Sequence, residues 1–457
     1  FGMATYSYKG RYTINGTLRY EGSNMLGKSR QARWLPTWNV SGSWNAHEEN
    51  WWAPTFGKAW TYASLKGSYS LTADRGPASN SLAVFTSFTP WRPSTSANES
   101  AIILAALENS ELTYEKKHEL NIGLALGFVD NRINVEFDWY RRNNFDLIGY
   151  TQTMGVGGVT TKLANDATME STGCEFTIST TNIKTKDFKW TTDWIFGWAE
   201  NTITKLDSRS QVYSLVNGVG RTEGRPIGAL YSIPFAGLTE EGLPTFFIDA
   251  EHTQVVGPGN YADIYFQEYE NIDYLKYEGT IDPKITGSFG NTFSWKGLKL
   301  NVFFTYSFGN VLRLDNLCPV YSSDYSDLTA SMKEMKNRWM VPGDENVTTI
   351  PSIPTVRQMR EIDALSNAYS AYNYSTERVA KGDFIRLKEL SLAYDLPKKY
   401  FEGQNAVSSF GVKLSATNLW LAYADKKLNG RDPEYYNTGG VSSPVPRQFT
   451  LTVKLGF

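Results

Sequence analysis

Arg447-Gln448-Phe449-Thr450-Leu451-Thr452-Val453-Lys454-Leu455-Gly456-Phe457 has an unbroken period of two. Phe449, Leu451, Val453, Leu455 and Phe457 fall on one parity, and Gln448, Thr450, Thr452, Lys454 and Gly456 on the other. Successive side chains of a strand point to opposite faces, so the segment reads as a strand with one apolar and one polar face. Its length matches the roughly ten residues that a tilted strand needs to cross a bilayer. A transmembrane strand is therefore the expectation that the rest of the chain has to meet.

Composition agrees with it. Aromatic residues make up 14% of the 457 residues, as 14 Trp, 27 Tyr and 24 Phe, while only 41% are apolar and the mean hydropathy is −0.38. A chain polar on average yet rich in Trp and Tyr is what alternating lipid-facing and water-facing strands give. No run of eighteen apolar residues exists, which excludes helical membrane spans. A net charge of −2 gives no reason to expect nucleic acid. Cys174 and Cys318 form neither a disulfide framework nor a metal cluster and are read as two free thiols.

The same period recurs along the chain. Ala4, Tyr6 and Tyr8 lead through Lys9-Gly10-Arg11 into Tyr12, Ile14, Leu18 and Tyr20, a hairpin. Trp34, Trp38, Val40 and Trp44 alternate with Thr37, Asn39, Ser41 and Ser43, and Leu65, Tyr69 and Leu71 with Lys66, Ser68, Ser70 and Thr72. Leu120 to Phe128 and Ile133 to Trp139 flank the Asp130-Asn131 turn. Cys174, Phe176 and Ile178 precede Trp190, Trp194, Phe196 and Trp198. Phe289, Phe293 and Trp295 turn through Lys296-Gly297 into Leu298, Leu300, Val302, Phe304, Tyr306 and Phe308. The strand near residues 384–394 alternates least, and Phe410, Val412, Leu414 and Ala416 precede the terminal strand. The count is thirteen.

Connections after odd-numbered strands are short and those after even-numbered strands long, with excursions at about 74–113, 141–172, 201–283, 309–382 and 418–446. Membrane barrels have that asymmetry, with short periplasmic turns and long extracellular loops. First and last strands then both run toward the periplasm. The sequence begins inside what reads as a strand, so the expectation is a fragment of a larger barrel. Trp190 and Trp198, eight residues apart, span about 20 Å of height at a 40° tilt, close to the spacing of two aromatic girdles. Leu328, Met332, Met335 and Trp339 sit at helical spacing and predict one short amphipathic helix before Pro342.

Several segments resemble the SusC-like branch of the TonB-dependent outer-membrane transporters of Bacteroidetes. They are Tyr6-Ser7-Tyr8-Lys9-Gly10-Arg11-Tyr12, Leu18-Arg19-Tyr20-Glu21-Gly22-Ser23, and Glu223-Gly224-Arg225-Pro226-Ile227-Gly228 with Gly237-Leu238 and Gly242-Leu243-Pro244. Further on come Arg338-Trp339 with Pro342-Gly343-Asp344, Gly382-Asp383-Phe384-Ile385-Arg386-Leu387-Lys388, and Thr417-Asn418-Leu419. Gly430-Arg431-Asp432-Pro433-Glu434 and Pro446-Arg447-Gln448-Phe449-Thr450-Leu451 complete the set, and a terminal strand ending in Phe looks like the signal that outer-membrane barrels present to their assembly machinery. The resemblance implies an all-β fold, an antiparallel barrel of about 22 strands closed by an N-terminal plug, of which this chain is the C-terminal portion, with the plug and about nine strands lying outside it. It further implies TonB-dependent import of an oligosaccharide or oligopeptide across the outer membrane beneath a SusD-like lipoprotein lid, with no cofactor and no bond broken in the substrate.

Glu119, Glu136, Asp138, Glu175 and Asp193 share lumen-facing parity. Paired carboxylates serve glycoside hydrolysis, but a water-facing barrel wall is ordinarily polar, and pairing with lumen Lys and Arg or with the plug is the preferred reading. Gly155-Val156-Gly157-Gly158 lacks the Lys-Ser/Thr of a phosphate loop, and His47, His118 and His252 have no ligand spacing. Trp91, Tyr213, Tyr231 and Phe235 in the long loops are the substrate-binding candidates, because a flat apolar ring with a polar edge suits sugars and peptide side chains alike. Packing of these rings within the loops is the plainer alternative. The rivals to transport are an outer-membrane barrel enzyme and a passive porin or adhesive barrel.

Overall fold

The computed structural model describes residues 1–57, 59–78, 80–90, 100–156, 158–317, 333–397, 400, 407–436 and 443–457. Its frame is one antiparallel sheet of thirteen strands, each hydrogen-bonded to the next wall strand in the chain. We number them β1 (Gly2–Tyr8), β2 (Tyr12–Gly22), β3 (Trp34–Asn45), β4 (Trp60–Asp74), β5 (Glu115–Phe128), β6 (Ile133–Gln152) and β7 (Thr161–Lys184). Then come β8 (Phe188–Leu206), β9 (Ile285–Trp295), β10 (Leu298–Phe308), β11 (Phe384–Asp395), β12 (Ser409–Ala424) and β13 (Gln448–Gly456).

The alternation fixes the register. Phe449, Leu451, Val453 and Leu455 of β13 stand opposite Ala416, Leu414, Val412 and Phe410 of β12, while Thr450, Thr452 and Lys454 face Ser415, Lys413 and Gly411. A one-residue slip would put every apolar side chain among polar ones. The apolar face is bare: Ile14, Leu18, Phe449 and Leu451 are 56–71% exposed. Only a bilayer makes such a face stable. Short hairpins turn at Lys9-Gly10 (φ 52° and 70°) and Lys296-Gly297 (φ 46° and 90°), where left-handed backbone matches the strand twist.

Three features depart from the periodicity. The excursion expected over 141–172 is mostly strand, since β6 continues to Gln152 and β7 starts at Thr161. Above the lipid both faces of a strand meet water, so nothing in the side chains has to alternate there. Second, β11 alternates weakly because Lys388 is an extra residue: Phe303 and Phe304 of β10 face Glu389 and Leu387. The bulge moves Leu387 and Ile385 onto the apolar face and Arg386 onto the polar one beside Glu389. Third, the helix expected from Leu328 to Trp339 is a 3₁₀ turn over Lys333–Asn337, with Leu328 and Met332 outside the described residues.

Among the described residues, neither β1 nor β13 has a second neighbour. Twelve antiparallel steps separate them, so they run in the same direction and cannot close on each other antiparallel.

Candidate functional site

The excursions between β8 and β9 and between β10 and β11 fold on one another at the extracellular end. Their core holds Tyr261, Tyr372, Phe246, Leu243, Ile233 and Leu365, each at most 2% exposed. Ile233 accepts from Thr376 and donates to Tyr374, so the two excursions share backbone hydrogen bonds as well as side chains. Full burial of such side chains contributes about 1.5–3 kcal/mol apiece, so this loop body is a packed structure with a preset surface. Short elements supply it: the helix Val212–Val216, the helix Leu365–Asn373, and the helix Val356–Glu361 with its Thr355/Gln358 capping box. Gly242 (φ +76°) lies directly under the Trp339 ring, where a side chain would collide. Buried phenols are satisfied: Tyr261 donates to Pro244 O at 2.8 Å and Tyr369 to Ser352 O at 2.8 Å. Burial raises Tyr261 well above the usual phenol range, and raises Tyr274, with help from nearby Glu268, to about 12.

Buried arginines tie the loop body to the wall. Arg313 donates to the carbonyls of Ser375 (2.9 Å), Val216 (3.2 Å) and Tyr231 (2.5 Å), three separate segments joined by one guanidinium. Burial lowers its pKa to about 10, which still leaves it charged at neutral pH. Arg378, 3% exposed, pairs with Glu334 at 2.5 Å and donates to Asp315 O at 2.6 Å. The Asp315 carboxylate pairs with Arg431. Beside Arg431, Asp432 pairs with Arg386 of β11, and Arg386 also meets Glu434 at 3.2 Å. A chain of alternating charges thus runs from the loop core through residues 431–434 to the polar face of the wall. The segments 382–388 and 430–434 stand out in the sequence; their pairing, 46 residues apart for Arg386 and Asp432, does not.

Of the ring candidates, Tyr213 is 52% exposed and meets Tyr374 edge-on at 6.2 Å. Tyr231 is buried at 8% exposure against Tyr277, which Arg225 covers at 4.4 Å. Phe235 is half-buried on Phe246 and Tyr372. Trp91 lies outside the described residues. The structure therefore brings Tyr231 and Phe235 into one core and leaves Tyr213 on its rim. Among the lumen carboxylates, Glu119 pairs with Lys117 at 2.8 Å and Arg142 at 3.1 Å, and Asp193 accepts from Ser179 at 2.7 Å. Asp138 stands directly opposite Glu175, with Glu136 two residues on; among the described residues none of these three has an ion pair. His118 is stacked between Tyr69 and Phe145. Among the described residues no three His, Cys, Asp or Glu side chains could hold a metal together. Cys174 is a free thiol, and Cys318 lies outside the described residues.

A bare apolar face, a polar inner face and a packed extracellular loop body define the wall of an outer-membrane β-barrel. No family model matches the chain. It is 27% identical, over its whole length and 45% of the relative, to TonB-dependent receptor P3 of Formosa agariphila. Over 45% of its length it is 28% identical to TonB-dependent receptor SusC of Bacteroides thetaiotaomicron, of which that covers 20%. The RagAB peptide transporter structure superposes on all of it with a TM-score of 0.75 at 23% identity, using 46% of that chain. The chain spans about half the length of the relatives that it matches from end to end. Sequence and fold agree in likening this chain to a barrel portion of the SusC-like TonB-dependent receptors of the bacterial outer membrane.

Proposed function

We propose that the chain is the C-terminal barrel portion of a transporter that imports a nutrient oligomer, an oligosaccharide or an oligopeptide, across the outer membrane with energy relayed by TonB. The observation that carries this is the open thirteen-strand wall topped by a packed loop body. Because β1 and β13 run the same way, an antiparallel barrel needs an odd number of further strands, and a wall that wide requires a plug to hold a gradient. The polar inner face, including the uncompensated Asp138 and Glu175, is then a surface for the plug. The loop body is the surface on which a SusD-like lipoprotein closes, with Tyr213 on its rim among the contacts to substrate or lid. No covalent step is assigned to this chain, consistent with relatives that are named as receptors.

The test is uptake by cells carrying the full-length transporter, with and without TonB, together with identification of what copurifies from the outer membrane. TonB-dependent accumulation of one oligomer class and a copurifying lipoprotein support the reading. Uptake that proceeds equally without TonB overturns it in favour of a passive barrel.

A further inference from the structure

Strand β12 outruns its neighbour. Ser409 to Thr417 pair with β13, whereas Trp420, Leu421, Tyr423 and Ala424, beyond a bulge at Asn418 (φ 53°) and Leu419 and with Ala422 as an extra residue, pair with β11 on one side and, among the described residues, have no strand on the other. Over 420–424 that edge offers about 16 Å of N–H and C=O groups that have no ladder partner among the described residues. The segment that follows the loop, Pro444 to Pro446, cannot cover it as a ladder, since each proline lacks a donor.

Two cavities lie along this same edge. One, of about 530 Å³, is lined by Asn418, Leu419 and Leu421 opposite Val445 and Arg447, and the other, of about 670 Å³, continues past Leu421 to Asp425 and Lys426. They share Leu421, Gly430 and Arg431 and so form one groove. Its floor is built: the Arg386 side chain is only 6% exposed and is held by Asp432 and Glu434, and among the described residues the buried Oδ1 of Asn418 has no partner. The acids along it are taken, Asp432 by Arg386, Asp315 by Arg431, and Asp425 by the amides of Lys381 and Lys427. Arg447 and Lys426 make no ion pair among the described residues, so the groove's open charges are positive.

We propose that this edge binds an extended peptide bearing carboxylates, which adds to β12 as a further strand and sets its anionic side chains against Arg447 and Lys426. An extended peptide matches the edge because its N–H and C=O groups repeat at the strand spacing, which a sugar chain does not offer. The proposal rests on the importer reading and narrows its substrate to acidic oligopeptides.

The test uses the full-length transporter in detergent and a fluorescein-labelled octapeptide of alternating Val and Glu, read by fluorescence polarisation. Further probes are the same peptide N-methylated at every second amide, in both registers, an alternating Val-Lys octapeptide, and maltoheptaose as competitor. Expected are saturable binding of the Val-Glu peptide, about tenfold loss with N-methylation in one register, and about tenfold loss in Arg447→Glu and Lys426→Glu. Both variants are exposed positions whose folding is checked by circular dichroism. No binding of the Val-Glu peptide, equal binding of both N-methylated forms and the parent peptide, preference for Val-Lys, or displacement by maltoheptaose each overturns the proposal. Binding needs no TonB, so these failures leave the importer reading standing, and loss of TonB-dependent uptake would leave the edge site standing.

Discussion

Gly287 of β9 is the position where one methyl group should do most harm to the wall. Its partner in register is Tyr306 of β10, and that ring lies across the glycine. A Cβ there would come 2.5 Å from Tyr306 Cζ and clash with Ile195 O. Tyr306 OH donates to Ile195 O at 2.9 Å and accepts from Trp194 Nε1 at 2.9 Å, so three adjacent strands meet through this ring. Gly287→Ala must push the ring away and shift the Ile195 carbonyl of β8. Overpacking costs about 1–3 kcal/mol, and each of the two hydrogen bonds about 0.5–1.5 kcal/mol, so the expected loss is about 2–4 kcal/mol. The assay is urea unfolding of the full-length transporter in detergent micelles, followed by tryptophan fluorescence. Gly16→Ala, at a β2 position with nothing within 4 Å of the added atom, is the control and should stay within about 0.5 kcal/mol of the parent. Tyr306→Ala removes the clash with the ring but not the one with the Ile195 carbonyl, so Gly287→Ala on that background should cost less than on the parent yet more than Gly16→Ala. A Gly287→Ala protein that unfolds with the parent, or a cost undiminished by loss of the Tyr306 ring, refutes the reasoning.

Arg386→Ala leaves the Asp432 carboxylate without its partner in a nearly dry setting and should cost about 3–5 kcal/mol; protease sensitivity confined to 425–436, with much of it rescued by adding Asp432→Ala, is the expected outcome, and simple additivity of the two would count against the charge chain. Tyr274 titrates at about 12 in the folded protein against 10 for a free phenol, so its stabilising effect is intact below pH 10, falls by about 2–3 kcal/mol as pH rises from 10 to 12, and is flat beyond. Tyrosinate absorbance with Tyr274→Phe as reference checks it, and an unchanged pH profile in that variant would show that the phenol is not buried as described. Tyr231→Ala should loosen the loop body by about 3–5 kcal/mol, measured by amide exchange, whereas Tyr213→Ala should leave exchange unchanged and weaken capture of substrate or lid. The reverse pattern would move the contact surface away from the rim.

The wall was legible because a bilayer on one side and water on the other impose the strictest period a chain can carry. Phe449, Leu451 and Val453 need no distant partner to declare their face. Where that constraint ended, legibility ended with it: residues 141–152 and 161–172 turn out to be strand above the lipid, where neither face is obliged to be apolar, and Lys388 hides a bulge that only the register against β10 exposes. The family resemblance marked the segments around Arg386 and Asp432, yet their pairing depends on a loop returning across 46 residues. Tyr231 and Tyr213 look alike in sequence as loop aromatics; one is core and the other rim, because burial in the loop body is set by two excursions packing together. What the sequence by itself determined is the alternation, the strand count and the inner and outer faces, all consequences of local geometry in two solvents. What only the tertiary structure decided is the loop core, the charge chain and the free edge of β12, because each is made by segments far apart in the chain whose contact no local period encodes.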